Sequence, residues 1–261
     1  MIKGLYTAAT GMTAQQYNID VISNNIANIN TTAFKKDRAE FQDLMYQSLN
    51  YTASATSADT QNPTGIDVGC GVVISGIQKD SMQGNCIATG NDLDVAVQGK
   101  GYFKITTASG DTAYTRNGAF KQNSDGDLVN SQGFKLDPPI TIPSEITKIS
   151  ITADGLVTGS KSDGTEQQLG QIQLSTFVNN AGLSPIGNSL YLATSASGDA
   201  TDGTPGTDGL GTLRQGMLES SNVQLVTEMT NLITAQRAYE ANSKSITTTD
   251  TMLQTANQLK K

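Results

Sequence analysis

The chain has 261 residues, a formal net charge of -7, charged residues at 16% and no histidine. That acidity, without clustered Lys and Arg, argues against nucleic acid as a partner, and the missing histidine removes the commonest general base and metal ligand. No apolar run approaches the length needed to span a bilayer, so no membrane insertion is expected. Charges well below the roughly 25% usual in soluble domains leave neutral faces free to pack against other copies.

The first thirty residues carry a heptad pattern. Leu5, Met12, Ile19 and Ile26 recur every seven residues, with a companion row at Ala8, Gln15, Ile22 and Ile29. That spacing predicts a helix from about Leu5 to Asn28 with one narrow apolar seam. It ends in an Asn-rich run. Asn28 suits a fraying C-terminus, because its amide competes for backbone groups. Asn24 and Asn25 lie within reach of the seam, where they either belong to the same helix end or fix the register between packed helices.

Residues 33–49 read as a second, shorter helix, with Phe34, Arg38, Phe41, Met45 and Leu49 spaced by three and four. Tyr51 to Gly65 is small and polar, without an apolar anchor, and long for a loop in a compact domain. From Ile66 the pattern turns to short strands. Leu93, Val95 and Val97 alternate with Asp94, Ala96 and Gln98, as in a half-buried strand whose solvent face would carry Asp92 and Asp94. Gly99-Lys100 reads as a two-residue hairpin turn into Tyr102. Asp125-Gly126, Asp154-Gly155 and Asp163-Gly164 mark further turns. Ala193 to Gly211 reads as a low-complexity link.

The C-terminus mirrors the start. Leu218, Leu225, Leu232, Tyr239, Ile246 and Leu253 again fall seven apart, with Val226, Met229 and Ile233 beside them. Gly216 is expected to precede this helix, with Ser220 or Ser221 as N-cap. Arg237 and Glu240 flank the seam, either choosing a partner or forming a solvated pair. A single seam cannot be buried by the helix that carries it, so the two ends are each other's obvious partners. They either close one domain or build a filament, and isolated seams are marginal in water. The expected fold class is α+β: paired, coiled-coil-like terminal helices (1–32 and 216–261), a connecting region (33–85 and 186–215, containing the extended stretch 51–65) and a nested, mostly antiparallel β domain (86–185).

Chemistry is sparse. Asn123, Asp125 and Asp127 start like a calcium loop, but Leu128 and Phe134 occupy the positions that need Gly and Glu, so a hairpin turn is expected. Gly99-Lys100-Gly101 lacks phosphate-loop spacing. Cys70 and Cys86 have no zinc-ligand company and are read as buried thiols or as a bridge. No catalytic residue, cofactor or metal is expected.

The run 23–35, Ser-Asn-Asn-Ile-Ala-Asn-Ile-Asn-Thr-Thr-Ala-Phe-Lys, closely resembles the N-terminal signature of the flagellar rod and hook axial proteins. Residues Glu219-Ser220-Ser221-Asn222-Val223 and 236–244 are similar to that family's C-terminal counterpart. Leu93 to Val97, Gly99 to Phe103 and Tyr114 to Phe120 resemble its β-domain segments. One departure is Ala33, where the family usually has Gly; a positive-φ turn there would cost an alanine about 1 kcal/mol.

The resemblance covers nearly the whole chain. It implies a non-enzymatic subunit of a helical tubular polymer, most like the subunits of the distal rod, which form a rigid hollow shaft carrying motor torque to the hook. A hook or proximal rod subunit is the nearest alternative; a secreted β-domain enzyme or glycan-binding module with dimerising helices is a more distant one. It further implies export through the flagellar type III apparatus without a cleaved signal peptide, and a place in the rod between periplasm and outer membrane. The implied partners are other copies, proximal rod proteins, the hook protein and the surrounding rings. The polymer interface is expected at Leu5, Met12, Ile19, Ile22, Asn24, Asn25, Ile26 and Asn28, and at Leu218, Leu225, Leu232, Tyr239, Ile246 and Leu253. Tyr51 to Gly65 is expected to wedge between neighbouring subunits.

Overall fold

The computed structural model describes residues 2–50, 55–57, 60–61 and 65–259. It divides into two units, one of Met1–Ala27, Asp37–Lys79 and Gln224–Lys261, the other of Asn28–Lys36 and Asp80–Val223.

The first unit holds two long helices, α1 (Ile2–Ala27) and α2 (Leu225–Gln258), packed against each other. Gly11 lets them lie close, since an added Cβ there would stand 2.8 Å from the Asn242 side-chain nitrogen. The terminal helices expected from the heptad rows are present. The C-terminal one starts later than expected: Met217–Glu219 is a strand, and α2 begins after Gln224 with no side-chain cap. Leu218 is therefore a strand residue, opposite Ile87 in the pairing with Cys86–Ala88. The Ser221 hydroxyl accepts from the Val223 amide, a local turn before the helix.

Residues 33–49 are not a helix. Asp37–Asp43 pairs antiparallel with Val72–Lys79, with a bulge between Glu40 and Phe41, and Tyr46–Asn50 pairs with Ile66–Gly69. The helical stripe has no core to enter, since Met45 is 86% and Leu49 61% exposed. The Val72-Val73-Ile74 run supplies a β-branched partner instead, and cross-strand pairing satisfies the backbone. α1 also packs on this ribbon: the Val72 amide donates to the Thr10 hydroxyl, and an added Cβ at Gly71 would lie 2.2 Å from that oxygen. Within Tyr51 to Gly65 only the short pair Ala55–Ser57 and Thr60–Gln61, with Gly65, is described; the expected wedge lies mostly outside the described residues.

The second unit is β-rich. A nine-stranded antiparallel sheet is built around Tyr102–Thr106, beside a three-stranded sheet of Ile146–Ile151, Leu156–Lys161 and Glu166–Gln171. Val95, Val97, Phe103, Ile105, Val157 and Leu174 are fully buried in one core. Two expectations fail here. Val95–Gln98 is buried on both faces, Ala96 being 1% exposed, and Asp94 is buried as well, accepting from the Thr89 hydroxyl at 2.6 Å and the Asn91 amide at 3.1 Å. Nor is Gly99-Lys100 a hairpin. Val95–Gln98 pairs with Thr212–Gln215, whereas Tyr102–Thr106 pairs elsewhere. The glycine is needed because the Gly211 Cα would be 2.9 Å from its Cβ.

The turns at Gly126, Gly155 and Gly164 are as expected, all with positive φ. Asn123 Oδ1 accepts from the amides of Asp125 and Asp127, both at 2.9 Å, closing the hairpin turn expected there. Ala193 to Gly211 is more ordered than its composition suggests: Thr201–Gly203 pairs with Leu174–Thr176, and Ser197 and Leu210 are buried. Cys70 is exposed and Cys86 half-buried, and both are free, where buried thiols or a bridge were expected.

Candidate functional site

The helical unit shows what the predicted interface residues do in one copy. On α1, Ile22 is buried, while Leu5, Met12, Ile19 and Ile26 are half-buried. On α2, Leu232, Ile246 and Leu253 are half-buried, but Leu225 and Tyr239 are 43% and 39% exposed. The row beside the seam is more open: Val226, Met229 and Ile233 are 78%, 50% and 52% exposed. Their spacing of three and four puts them on one helix face, which continues into the exposed Arg237, Glu240 and Lys244. On α1, Tyr6 and Tyr17 are 69% and 47% exposed. Apolar side chains in such a row, rather than scattered singly, mark an interaction surface.

The asparagines divide. Asn24 is exposed and Asn28 half-buried, the latter's side-chain oxygen accepting from the Thr31 hydroxyl at 3.1 Å. Asn25 is 1% exposed and grips the backbone of one residue: its Nδ2 donates to the Asp37 carbonyl and its Oδ1 accepts from the Asp37 amide, both at 2.8 Å. It therefore ties α1 to the start of a strand, not to a second helix.

The β-rich unit contains a buried charged cluster that the periodicities did not reveal. Glu219, at 1% exposure, lies between Lys35 and Arg116, themselves 5% and 6% exposed. Lys35 Nζ donates to Glu219 Oε1 at 2.6 Å and to the Met82 carbonyl at 2.7 Å. Arg116 Nε donates to Glu219 Oε2 at 2.8 Å, and its terminal nitrogens donate to the carbonyls of Gly99 and Gly101. The Gly84 amide adds a third bond to the Glu219 carboxylate, at 2.9 Å. Buried charges need this degree of pairing, because desolvation otherwise outweighs the attraction. The bend at Gly99 thus aims carbonyls at a guanidinium.

Beside it, Asn222 knits the same segments by their backbones. Its Oδ1 accepts from the Lys36 amide at 2.8 Å, and its Nδ2 donates to the carbonyls of Asp80 and Met82 at 3.0 and 3.1 Å. The Ala33 amide donates to the Glu219 carbonyl at 2.8 Å. Ala33 is 1% exposed with φ of 58°, so the turn does demand the left-handed region that glycine enters freely.

Burial alone would raise the Glu219 carboxyl pKa, but the charges of Arg116 and Lys35 outweigh it and hold it below the usual carboxylate range. Burial lowers the Lys35 ammonium, against the opposing pull of Glu219. A carboxylate depressed in the folded state contributes stability above its unfolded pKa of about 4.3 and loses it as pH falls through the folded value. Thermal unfolding at pH 7, 5 and 3 should therefore show Glu219→Gln well below the parent at pH 7, with the gap shrinking towards pH 3. A gap independent of pH would contradict the assignment.

Three family models match the chain: flagella basal body rod protein over residues 5–35, flagellar hook protein FlgE/F/G D1 domain over 96–159, and flagellar basal body rod FlgEFG protein C-terminal over 214–259. The flagellar basal-body rod protein FlgG of Caulobacter vibrioides is 51% identical over 99% of this chain and 100% of its own. That of Borreliella burgdorferi is 48% identical over 100% of both. The chain belongs to the flagellar basal-body rod protein FlgG family. The flagellar hook protein FlgE of Salmonella typhimurium is more distant, 25% identical over 95% of this chain and 98% of its own. A solved structure of the Helicobacter pylori hook protein FlgE2 shares 17% identity at a TM-score of 0.26, covering 71% of this chain and 43% of that one, a likeness too slight to carry structural weight.

All three model matches fall on elements described above. The first covers most of α1 and reaches Lys35, the second takes in Arg116, and the third takes in Glu219 and α2. Each member of the buried cluster thus lies in a different matched segment.

Proposed function

We propose that the chain is a structural subunit of the distal rod, polymerising with its own copies into a rigid hollow shaft that carries motor torque to the hook. The observation that carries this reading is the row Val226, Met229 and Ile233, left in water by a chain whose full-length relatives are rod proteins. Burying such a row against a neighbouring copy is favourable by roughly 25 cal/mol per Å² of apolar area. The seam residues of both helices, from Leu5 to Ile26 and from Leu225 to Leu253, form the rest of that interface where the helix pair leaves them open.

The remaining features of the proposal rest on the analogy with rod proteins. The subunit is exported through the flagellar type III apparatus without a cleaved signal peptide and takes its place between periplasm and outer membrane. It meets proximal rod proteins below, hook protein above and the rings around it, and performs no catalysis.

Electron microscopy of the purified chain after polymerisation tests the assignment. Straight, stiff tubes are expected. Curved, supercoiled tubes would instead assign it to the hook, and a chain that stays monomeric at every concentration would remove the reading altogether.

A further inference from the structure

Residues 28–36 are joined to the rest of the β-rich unit by polar groups of other segments. They contain a left-handed alanine and a buried lysine, both unfavourable without compensation. Residues 80–82 supply part of the compensation, the Met82 carbonyl to Lys35 and the Asp80 amide to the Lys36 carbonyl, but the charge that neutralises Lys35 comes from the far end of the chain, Glu219 lying 184 positions away. Glu219 supplies both the carboxylate for Lys35 and the carbonyl for the Ala33 amide. Asn222 supplies the acceptor for the Lys36 amide and donates its own amide to the Phe34 carbonyl.

The dependence does not run equally the other way. Without Lys35, Glu219 keeps Arg116 and the Gly84 amide, and its strand keeps the ladder to Cys86–Ala88. Without Glu219, Arg116 keeps the carbonyls of Gly99 and Gly101. Each member of the cluster is thus seated by the one before it. Arg116 is seated by the sheet, Glu219 by Arg116, and Lys35 by Glu219.

We propose that the cluster is an ordered interlock in which residues 28–36 dock on the β-rich unit only after residues 217–223 are seated on Arg116. A chain stalled before residue 219 keeps its 28–36 segment loose, however complete its sheet. The left-handed Ala33 belongs to the same device. Its left-handed turn is tied to the Glu219 carbonyl through the Ala33 amide, so the turn is completed by the same docking.

Hydrogen exchange of the full-length chain, read by peptide mass, tests the order. In Lys35→Gln, exchange across 28–36 should rise about a hundredfold, the scale set by breaking a buried pair, while 217–223 stays within about threefold of the parent. In Glu219→Gln both segments should open, with Tyr102–Thr106 still protected. The order is overturned if Lys35→Gln opens 217–223 as far as 28–36, if it opens neither, or if Glu219→Gln leaves 28–36 protected. Should Glu219→Gln not fold, Lys35→Gln alone decides.

Discussion

Replacing Arg116 by Met should lower the melting temperature of the β-rich unit by about 10–20 °C. The guanidinium is 6% exposed and has no water to fall back on. Its Nε holds Glu219 Oε2 at 2.8 Å, and its other nitrogens reach the carbonyls of Gly99, Gly101 and Val97. Met fills much of the volume but donates nothing. Breaking a buried pair from one side costs about 3–5 kcal/mol, because the other charge stays buried. Lys35 remains to neutralise Glu219, which puts the loss nearer the lower figure. Each orphaned carbonyl then adds about 1 kcal/mol or more. For a unit of roughly 150 residues, each kcal/mol moves the midpoint by about 2–4 °C. Arg214, which is exposed, provides the control, and its replacement by Met should cost under about 0.5 kcal/mol. Calorimetry showing Arg116→Met within 2 °C of the parent, on the scale of roughly 2–4 °C per kcal/mol, would mean the cluster does not hold the unit together.

The second large effect falls on assembly, not on folding. Val226→Asp with Ile233→Asp should raise the protein concentration needed for polymerisation at least a hundredfold, measured by sedimentation of polymer. Burying a Val or Ile side chain is favourable by about 1.5–3 kcal/mol, so losing two removes about 3–6 kcal/mol per contact, and every 1.4 kcal/mol is tenfold. In the isolated chain both side chains are already mostly in water, 78% and 52% exposed, so monomer stability should change little. Ile19 and Leu232, the seam pair that the heptads single out, are less informative targets. Both are half-buried in the single copy, so an Asp there also damages the helix pair. Polymer forming from Val226→Asp/Ile233→Asp at the parent's concentration would remove this face from the interface.

Why the seam and the open row separate is a matter of partners. Periodicity says that Leu225, Leu232 and Tyr239 share a face, and the helices are indeed where the heptads put them. It does not say how much of that face one neighbour covers. Two helices cover a strip, and the companion row Val226, Met229 and Ile233 is left beyond its edge.

The same limit explains the strand at Asp37–Asp43. Phe34, Arg38, Phe41, Met45 and Leu49 have helical spacing, but the choice was made by Val72–Lys79, more than thirty residues on. A local pattern reports what a segment would do if some core accepted its stripe. Here no core does, and a distant β-branched strand does. Gly99-Lys100 carries the same lesson: a turn signal bends the chain but does not choose which strands pair, and here the bend serves a guanidinium.

The helices at both ends, the β character of the middle, several of its turns and, through the segments around residues 23–35, 93–120 and 219–244, the family are all legible in the chain read linearly. Each of these is written in neighbours along the chain, as periodicity, turn chemistry or a contiguous motif. Only the tertiary structure decided that Lys35, Arg116 and Glu219 meet, that Asn25 grips Asp37, and which apolar row stays wet. Those outcomes depend on closing long loops, 184 positions for Lys35 and Glu219, and no local pattern records which distant group will be waiting when a charge is taken out of water.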